Sequence, residues 1–242
     1  MKIFVITMMT MSLLTGIAIA QNWAMVPGVA SDIAVGEDGI VWIVGSESRG
    51  YLAFHWDDGA WVKAPRSHWL RIDAGADGSV YAINRKNQIF SWKNGDWKAM
   101  AGEATDIAVG LDGSVFIIGS ENKGHRIYKW NNGSWIDFPG SNYKRVAVDP
   151  SGNPHVVTQD EKIFRWRDGA WQPMVGKATD IAVGAEGELY IIGNATKGNG
   201  VFRWEVDSWK KLPGNDFRNL SIGPDGTVWA TKGENGKINR FK

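Results

Sequence analysis

Trp97-Lys98-Ala99-Met100-Ala101-Gly102-Glu103-Ala104-Thr105-Asp106-Ile107-Ala108-Val109-Gly110-Leu111-Asp112-Gly113-Ser114-Val115-Phe116-Ile117-Ile118-Gly119 is one of several near-copies of a single stretch in this chain of 242 residues. Its core is a small-apolar run, a turn ending in Gly, and a second apolar run. Aligned on the first apolar residue, the copies begin at Ile33, Ile72, Ile107, Val146, Ile181 and Leu220, in steps of 39, 35, 39, 35 and 39. The larger unit is therefore a pair of copies, 74 residues long, and three pairs fill the 222 residues from 21 to 242. Self-similarity at a fixed period is the mark of a solenoid, propeller or array.

Each copy reads as four antiparallel strands. Asp32 to Val35 is a small-residue inner strand, and Ile40 to Val44 is the apolar second. Tyr51 to Trp56 is the third, and the fourth begins at Trp61. The turn Asp57-Asp58-Gly59-Ala60, with Trp92 to Trp97, Trp130 to Trp135 and Trp166 to Trp171, has the Asp-Gly or Asn-Gly that a two-residue type I′ hairpin requires. Tryptophans five apart across such a turn face each other as cross-strand pairs. The last copy ends after its third strand, while Asn22-Trp23-Ala24-Met25 resembles Asp96-Trp97-Lys98-Ala99-Met100, a fourth strand. The N-terminal strand is expected to complete the last blade. The fold expected is an all-β, six-bladed β-propeller of four-stranded blades in three pairs.

The length differences point to a site. From Trp42 to Trp56 is 14 residues, against 11 from Tyr81 to Trp92; from Trp61 to Ile72 is 11, against 10 from Trp97 to Ile107. In up-and-down blades both variable connections lie on one face, where loops are free to carry binding residues. The 74-residue period places three equivalent clusters there. Each link has a polar residue, an aromatic and, two further on, another polar residue: His68, Trp69 and Arg71; Asn142, Tyr143 and Arg145; Asp216, Phe217 and Asn219. The neighbouring long loop adds a cation before Gly: Arg49, Lys123 and Lys197. Aromatic faces stack on sugar C–H groups and planar polar groups pair with hydroxyls. These twelve residues are candidate ligand contacts, with the competing reading that the aromatics wedge between blades. Asp32, Asp106 and Asp180 open the inner strands, where local turn bonding is expected and a ring of acids around the channel is the alternative.

Composition narrows the class. A net charge of +1 with 22% charged residues offers no electrostatic case for nucleic acid. The absence of cysteine excludes disulfides, thiolate metal sites and a Cys nucleophile. The four histidines do not follow the repeat or metal-ligand spacing, and the Gly-x-Asp-Gly turns lack a calcium loop's downstream Glu, so neither metal nor other cofactor is expected. Lys2, the apolar run Ile3 to Leu14 and Ala18-Ile19-Ala20 read as a cleavable leader over residues 1–20, leaving 21–242 as one exported domain, secreted or periplasmic, without a membrane span. Polar residues repeat with the strands instead of forming one asymmetric set, which favours multivalent binding over catalysis.

The run Trp-x-x-(Met/Leu)-x-Gly-x-Ala-x-Asp-Ile-Ala-Val-Gly-x-Asp-Gly stands, with small departures, at Trp23 to Gly45, Trp97 to Gly119 and Trp171 to Gly193. It resembles the tectonin repeat of tachylectin-type and fish-egg lectins, over the whole mature chain. The resemblance implies a β-propeller and sugar binding, often of microbial surface glycans, and it carries over no binding motif residue by residue. The function expected is therefore a multivalent lectin with glycans or glycoconjugates as partners. A protein-binding scaffold using the same face is the alternative, and a propeller enzyme stands behind both.

Overall fold

In the computed structural model, which describes residues 22–242, the hairpin residues Asp58 and Gly59 take φ of 41° and 83°. Asn94–Gly95, Asn132–Gly133 and Asp168–Gly169 likewise have positive φ at both central positions, as type I′ turns demand. The tryptophans flanking these turns pair edge to face, with Trp56–Trp61 and Trp130–Trp135 both at 4.8 Å. A fifth pair, Trp204–Trp209, has the same separation of 4.8 Å. The leader expected over residues 1–20 lies outside the described residues.

The strands are β1 (Trp23–Val35), β2 (Val41–Gly45), β3 (Ala53–Asp57), β4 (Ala60–Lys63), β5 (Trp69–Ala74), β6 (Val80–Asn84) and β7 (Gln88–Lys93). Then come β8 (Asp96–Val109), β9 (Val115–Gly119), β10 (Ile127–Asn131), β11 (Ser134–Asp137), β12 (Tyr143–Val148), β13 (Pro154–Thr158) and β14 (Lys162–Arg167). The last seven are β15 (Ala170–Val183), β16 (Leu189–Gly193), β17 (Val201–Glu205), β18 (Ser208–Lys211), β19 (Phe217–Ile222), β20 (Val228–Lys232) and β21 (Lys237–Phe241). They form three seven-stranded antiparallel sheets, β19-β20-β21-β1-β2-β3-β4, β11-β10-β9-β8-β7-β6-β5 and β12-β13-β14-β15-β16-β17-β18. The fold is all-β and β-propeller-like.

Each sheet is centred on a long strand that serves two sets of partners. β1 pairs with β21 through Trp23–Val29 and with β2 through Ala30–Val35. The N-terminal strand thus joins the last strand, with Trp23 opposite Phe241 and Val26 opposite Ile238. The long strand swivels at a glycine, Gly28, Gly102 or Gly176, with φ of 120°, 95° and 96°.

This arrangement explains the alternation of 39 and 35 residues. At the other three junctions the chain breaks between strands at His68, Asn142 and Asp216, with φ of 66°, 65° and 65°. The polar residue before each aromatic is thereby accounted for, because Asn, Asp and His are the side chains most often found in the left-handed region. The remaining extra residues form one 3-10 turn in each long loop: Glu47–Arg49, Glu121–Lys123 and Ala195–Lys197. A left-handed glycine ends each turn, Gly50, Gly124 or Gly198. Loop and link meet as expected: the amides of His68, Asn142 and Asp216 donate to the carbonyls of Gly50, Gly124 and Gly198.

The strands β1, β5, β8, β12, β15 and β19 touch in that cyclic order, with β19 returning to β1. All six carry a register shift at the residue after their first pairing, between Ala30 and Asp32, Trp69 and Arg71, Ala104 and Asp106, Tyr143 and Arg145, Ala178 and Asp180, and Phe217 and Asn219. A bulge re-aims the side chain that follows it. Six bulges therefore present six polar residues to the centre.

Candidate functional site

Those six residues form an alternating ring. Arg71 Nη1 donates to Asp32 Oδ1 at 3.0 Å and to Asn219 Oδ1 at 2.8 Å, and its Nε lies 3.3 Å from Asp106 Oδ1. Arg145 Nε lies 3.1 Å from Asp180 Oδ1. The second oxygen of each aspartate accepts a backbone amide from the next inner strand: Ile72 to Asp32, Val146 to Asp106 and Leu220 to Asp180, at 2.8–2.9 Å. The expectation of local turn bonding for these acids is corrected: their partners lie 40 residues away.

Asp32, Arg71, Asp106 and Asp180 of the ring line a narrow central cavity of about 100 Å³, into which Asp73 also projects, accepting the amide of Val109 at 2.7 Å. Three carboxyls share two guanidiniums here and Asp73 is held by backbone amides, and burial disfavours full ionisation of all four. It pushes Asp73 and Asp180 up to about 7 and raises Asp32 and Asp106 as well. Burial also opposes the charge on Arg71, but Asp32, Asp106 and Asp180 outweigh it and hold the guanidinium above its ordinary pKa.

The structure separates the twelve expected contacts. Arg71, Arg145 and Asn219 belong to the central ring and not to the loop surface. The expected stacking platforms Trp69, Tyr143 and Phe217 are 1%, 5% and 1% exposed, which corrects that reading as well. Each instead covers the tryptophan of its own fourth strand: Trp69 on Trp97 at 4.7 Å, Tyr143 on Trp171 at 5.4 Å and Phe217 on Trp23 at 4.4 Å. The wedge reading holds for all three. Arg49, Lys123, Lys197, His68, Asn142 and Asp216 remain exposed.

Where the short-link copies differ, a groove opens. The register equivalent of the buried aromatic is alanine there, Ala30, Ala104 or Ala178, paired with Gly45, Gly119 or Gly193. The tryptophans Trp61, Trp135 and Trp209 therefore keep half-exposed rings, each touching the tryptophan across its hairpin. Each indole is anchored by an Nε1–H donated to a carbonyl, of Pro27 (2.6 Å), Ala101 (2.7 Å) or Val175 (2.7 Å). The next residue is the swivel glycine, and a Cβ there would lie 2.9, 3.2 or 3.4 Å from the ring. A second ring, Phe54, Tyr128 or Phe202, packs over Gly45, Gly119 or Gly193 beside the Cβ of Arg49, Lys123 or Lys197. In the third copy these residues line a cavity of about 300 Å³, bounded by Val175, Gly176, Phe202, Trp209 and the lysines 177 and 197. The cations thus stand beside Phe54, Tyr128 and Phe202 and not beside the link aromatics expected to share their site.

The sequence pattern of the tectonin domain matches residues 68–164 and, overlapping them, 142–242. The chain belongs to the tectonin family. No curated protein matches it. Among solved structures, this tectonin chain is similar in fold to a gluconolactonase of Xanthomonas campestris, XC5397, with a TM-score of 0.70 at 15% identity over 91% of this chain and 89% of the other. It is also similar to a streptogramin B lyase, with a TM-score of 0.62 at 16% identity over 92% and 97% of the two chains. A third is YCF48, solved bound to a D1 peptide, with a TM-score of 0.60 at 18% identity over 91% and 96%.

Within the tectonin repeat, sequence reasoning missed Trp61, Trp135 and Trp209 as surface groups because they read as ordinary hairpin partners. A signal was present: the copies with glycine and alanine before Asp-Ile-Ala-Val leave their tryptophan uncovered, and the others supply an aromatic. The Gly-x-Asp-Gly turns are self-capped, with Asp38, Asp77 and Asp225 accepting the amides of Ile40, Ser79 and Thr227 at 2.9–3.0 Å. Among the described residues no cluster of His, Cys, Asp and Glu suits a metal ion, and no helix is long and apolar enough to cross a membrane.

Proposed function

We propose that this protein is an exported, lectin-like six-bladed propeller that binds glycans in three equivalent grooves. Each seven-stranded sheet is read as two four-stranded blades sharing the long strand, with β1 completing the blade of β19, β20 and β21. The observation that carries the reading is the threefold recurrence of a half-exposed tryptophan, locked by an indole hydrogen bond over a glycine and flanked by a second ring and a cation. A rigid aromatic face with a free donor beside it is what a pyranose needs, and little side-chain ordering opposes binding. The family supports the same class of ligand. Three weak sites on one body gain strength on a repetitive surface through effective concentration.

In this reading the protein binds without turnover. The central acids hold backbone amides and guanidiniums, which assigns them to joining inner strands. A glycan array tests the proposal: selective binding by the wild type should vanish in a Trp61→Ala, Trp135→Ala, Trp209→Ala variant that retains its unfolding midpoint within a few degrees. Binding that survives the three substitutions overturns it. Silence across the array, with a peptide retained on the same surface, favours the protein-binding alternative.

A further inference from the structure

The three grooves share their rings but not their charge. In the first, Glu47 and Arg49 of the 3-10 turn cancel, and the residue after the swivel glycine is the neutral Val29. In the second, Glu121 cancels Lys123 and the corresponding residue is Glu103, leaving one negative charge; Glu103 Oε2 accepts the Ser120 hydroxyl at 3.3 Å. In the third, the turn begins with Ala195, so Lys197 stands uncancelled, and the residue after Gly176 is Lys177. Both lysines are exposed, both line the cavity of about 300 Å³ around Trp209, and among the described residues neither lies within 4.0 Å of a carboxylate. Glu161, next to Lys162 across the strand from Lys177, accepts the Asn194 side-chain amide at 2.7 Å and offsets one of the two lysines, so the third groove keeps one net positive charge where the second has one negative.

Resting on the glycan reading above, we infer that the third groove selects a saccharide bearing a carboxylate or phosphate, whereas the first and second take neutral sugars. The sugar ring lies against Trp209 and Phe202, and its anionic substituent sits between Lys177 and Lys197. Two exposed ammonium groups flanking an apolar floor offer an anion donors from both sides. The neighbouring grooves lack this feature, and the second repels an anion through Glu103. Such a division lets one molecule recognise a mixed surface glycan by engaging its neutral and acidic residues at once.

The test is calorimetric titration of the mature chain with an oligogalacturonide, a neutral galactan oligosaccharide of equal length, and a hexose phosphate. Lys177→Gln with Lys197→Gln should weaken the acidic ligands about tenfold and leave the neutral one unchanged, and raising salt from about 50 to 500 mM should weaken only the acidic ones. Phosphate and carboxylate arms identify which anion fits better. Glu103→Lys with Glu121→Ala should create a second acidic site, a gain that a folding defect cannot imitate. Acidic binding unaffected by the lysine changes, with neutral binding intact, overturns this inference and leaves the glycan reading standing. No saccharide binding by the wild type overturns both.

Discussion

Arg71→Leu is the perturbation that most severely tests the central ring. Arg71 reaches three neighbouring strands: it meets Asp32 at 3.0 Å, Asp106 at 3.3 Å and Asn219 at 2.8 Å. Its side chain is 13% exposed and those of both aspartates 8%, so solvent screens the group little. Leucine removes the cation, leaving Asp32 with backbone amide partners alone and Asp106 with Arg145 Nη1 at 4.0 Å as its remaining cation. Breaking a buried pair by deleting one partner costs about 3–5 kcal/mol, most of it the penalty on the charge left behind. For a domain of this size that corresponds to a fall of roughly 6–20 °C in Tm. The penalty should depend on pH. Burial already raises the pKa of Asp32 and Asp106, so at pH 5 the stranded groups take up protons and the loss shrinks. Urea unfolding followed by tryptophan fluorescence at pH 5 and pH 8 measures both effects, and Asp32→Asn in the Arg71→Leu background should recover part of the loss at pH 8. A loss below about 1 kcal/mol, or one equal at the two pH values, would refute the assignment of the ring as the tie between inner strands.

Asp73, pushed up to about 7 by burial, contributes stability that is complete at low pH and fades as pH rises from about 4 through 7; Asp73→Asn, which keeps an acceptor for Val109, should flatten that decline in a pH series of unfolding midpoints. Val206 is a β-branched residue at φ 56° and 89% exposed, so Val206→Gly should stabilise by about 1 kcal/mol in equilibrium unfolding. Gly102→Ala places a methyl 3.2 Å from Trp135 at φ 95°, and should cost about 1–3 kcal/mol while lowering sugar binding at that groove alone. Among the described residues the buried indole N–H groups of Trp69 and Trp97 have no acceptor, whereas those of Trp171 and Trp23 donate to the carbonyls of Pro139 and Pro213. Trp69→Phe, the residue found at Phe217, should therefore cost under about 1 kcal/mol by calorimetry, against about 3–5 for Trp69→Ala.

The repeat, its hairpins and the pairing of the first strand with the last were legible because each rests on local chemistry: Asp-Gly and Asn-Gly turns, alternating apolar residues and a period that tiles the chain. The long strands were not legible. Whether β1 runs through Gly28 or breaks there depends on a glycine's φ, which sequence leaves open. Nor could the fate of Arg71, Arg145 and Asn219 be read, because a bulge of one residue decides whether a side chain turns to the loop surface or to the centre. Trp69, Tyr143 and Phe217 show the same limit from the packing side. A large aromatic beside a polar residue suits a sugar platform and a blade wedge equally, and only the tryptophan beneath it settles the matter. The cations of the long loops stand on 3-10 turns that a cation before Gly does not announce, and these set them beside Phe54, Tyr128 and Phe202 instead of the link aromatics.

The most direct measurement of the central claim is the position of a saccharide in crystals of the complex, using whichever glycan the array selects. The sugar ring is expected against Trp61, Trp135 or Trp209, within contact of Phe54, Tyr128 or Phe202 and of the neighbouring loop cation. Saccharide found only at the central cavity around Arg71, or over the links carrying Trp69, Tyr143 and Phe217, would contradict it.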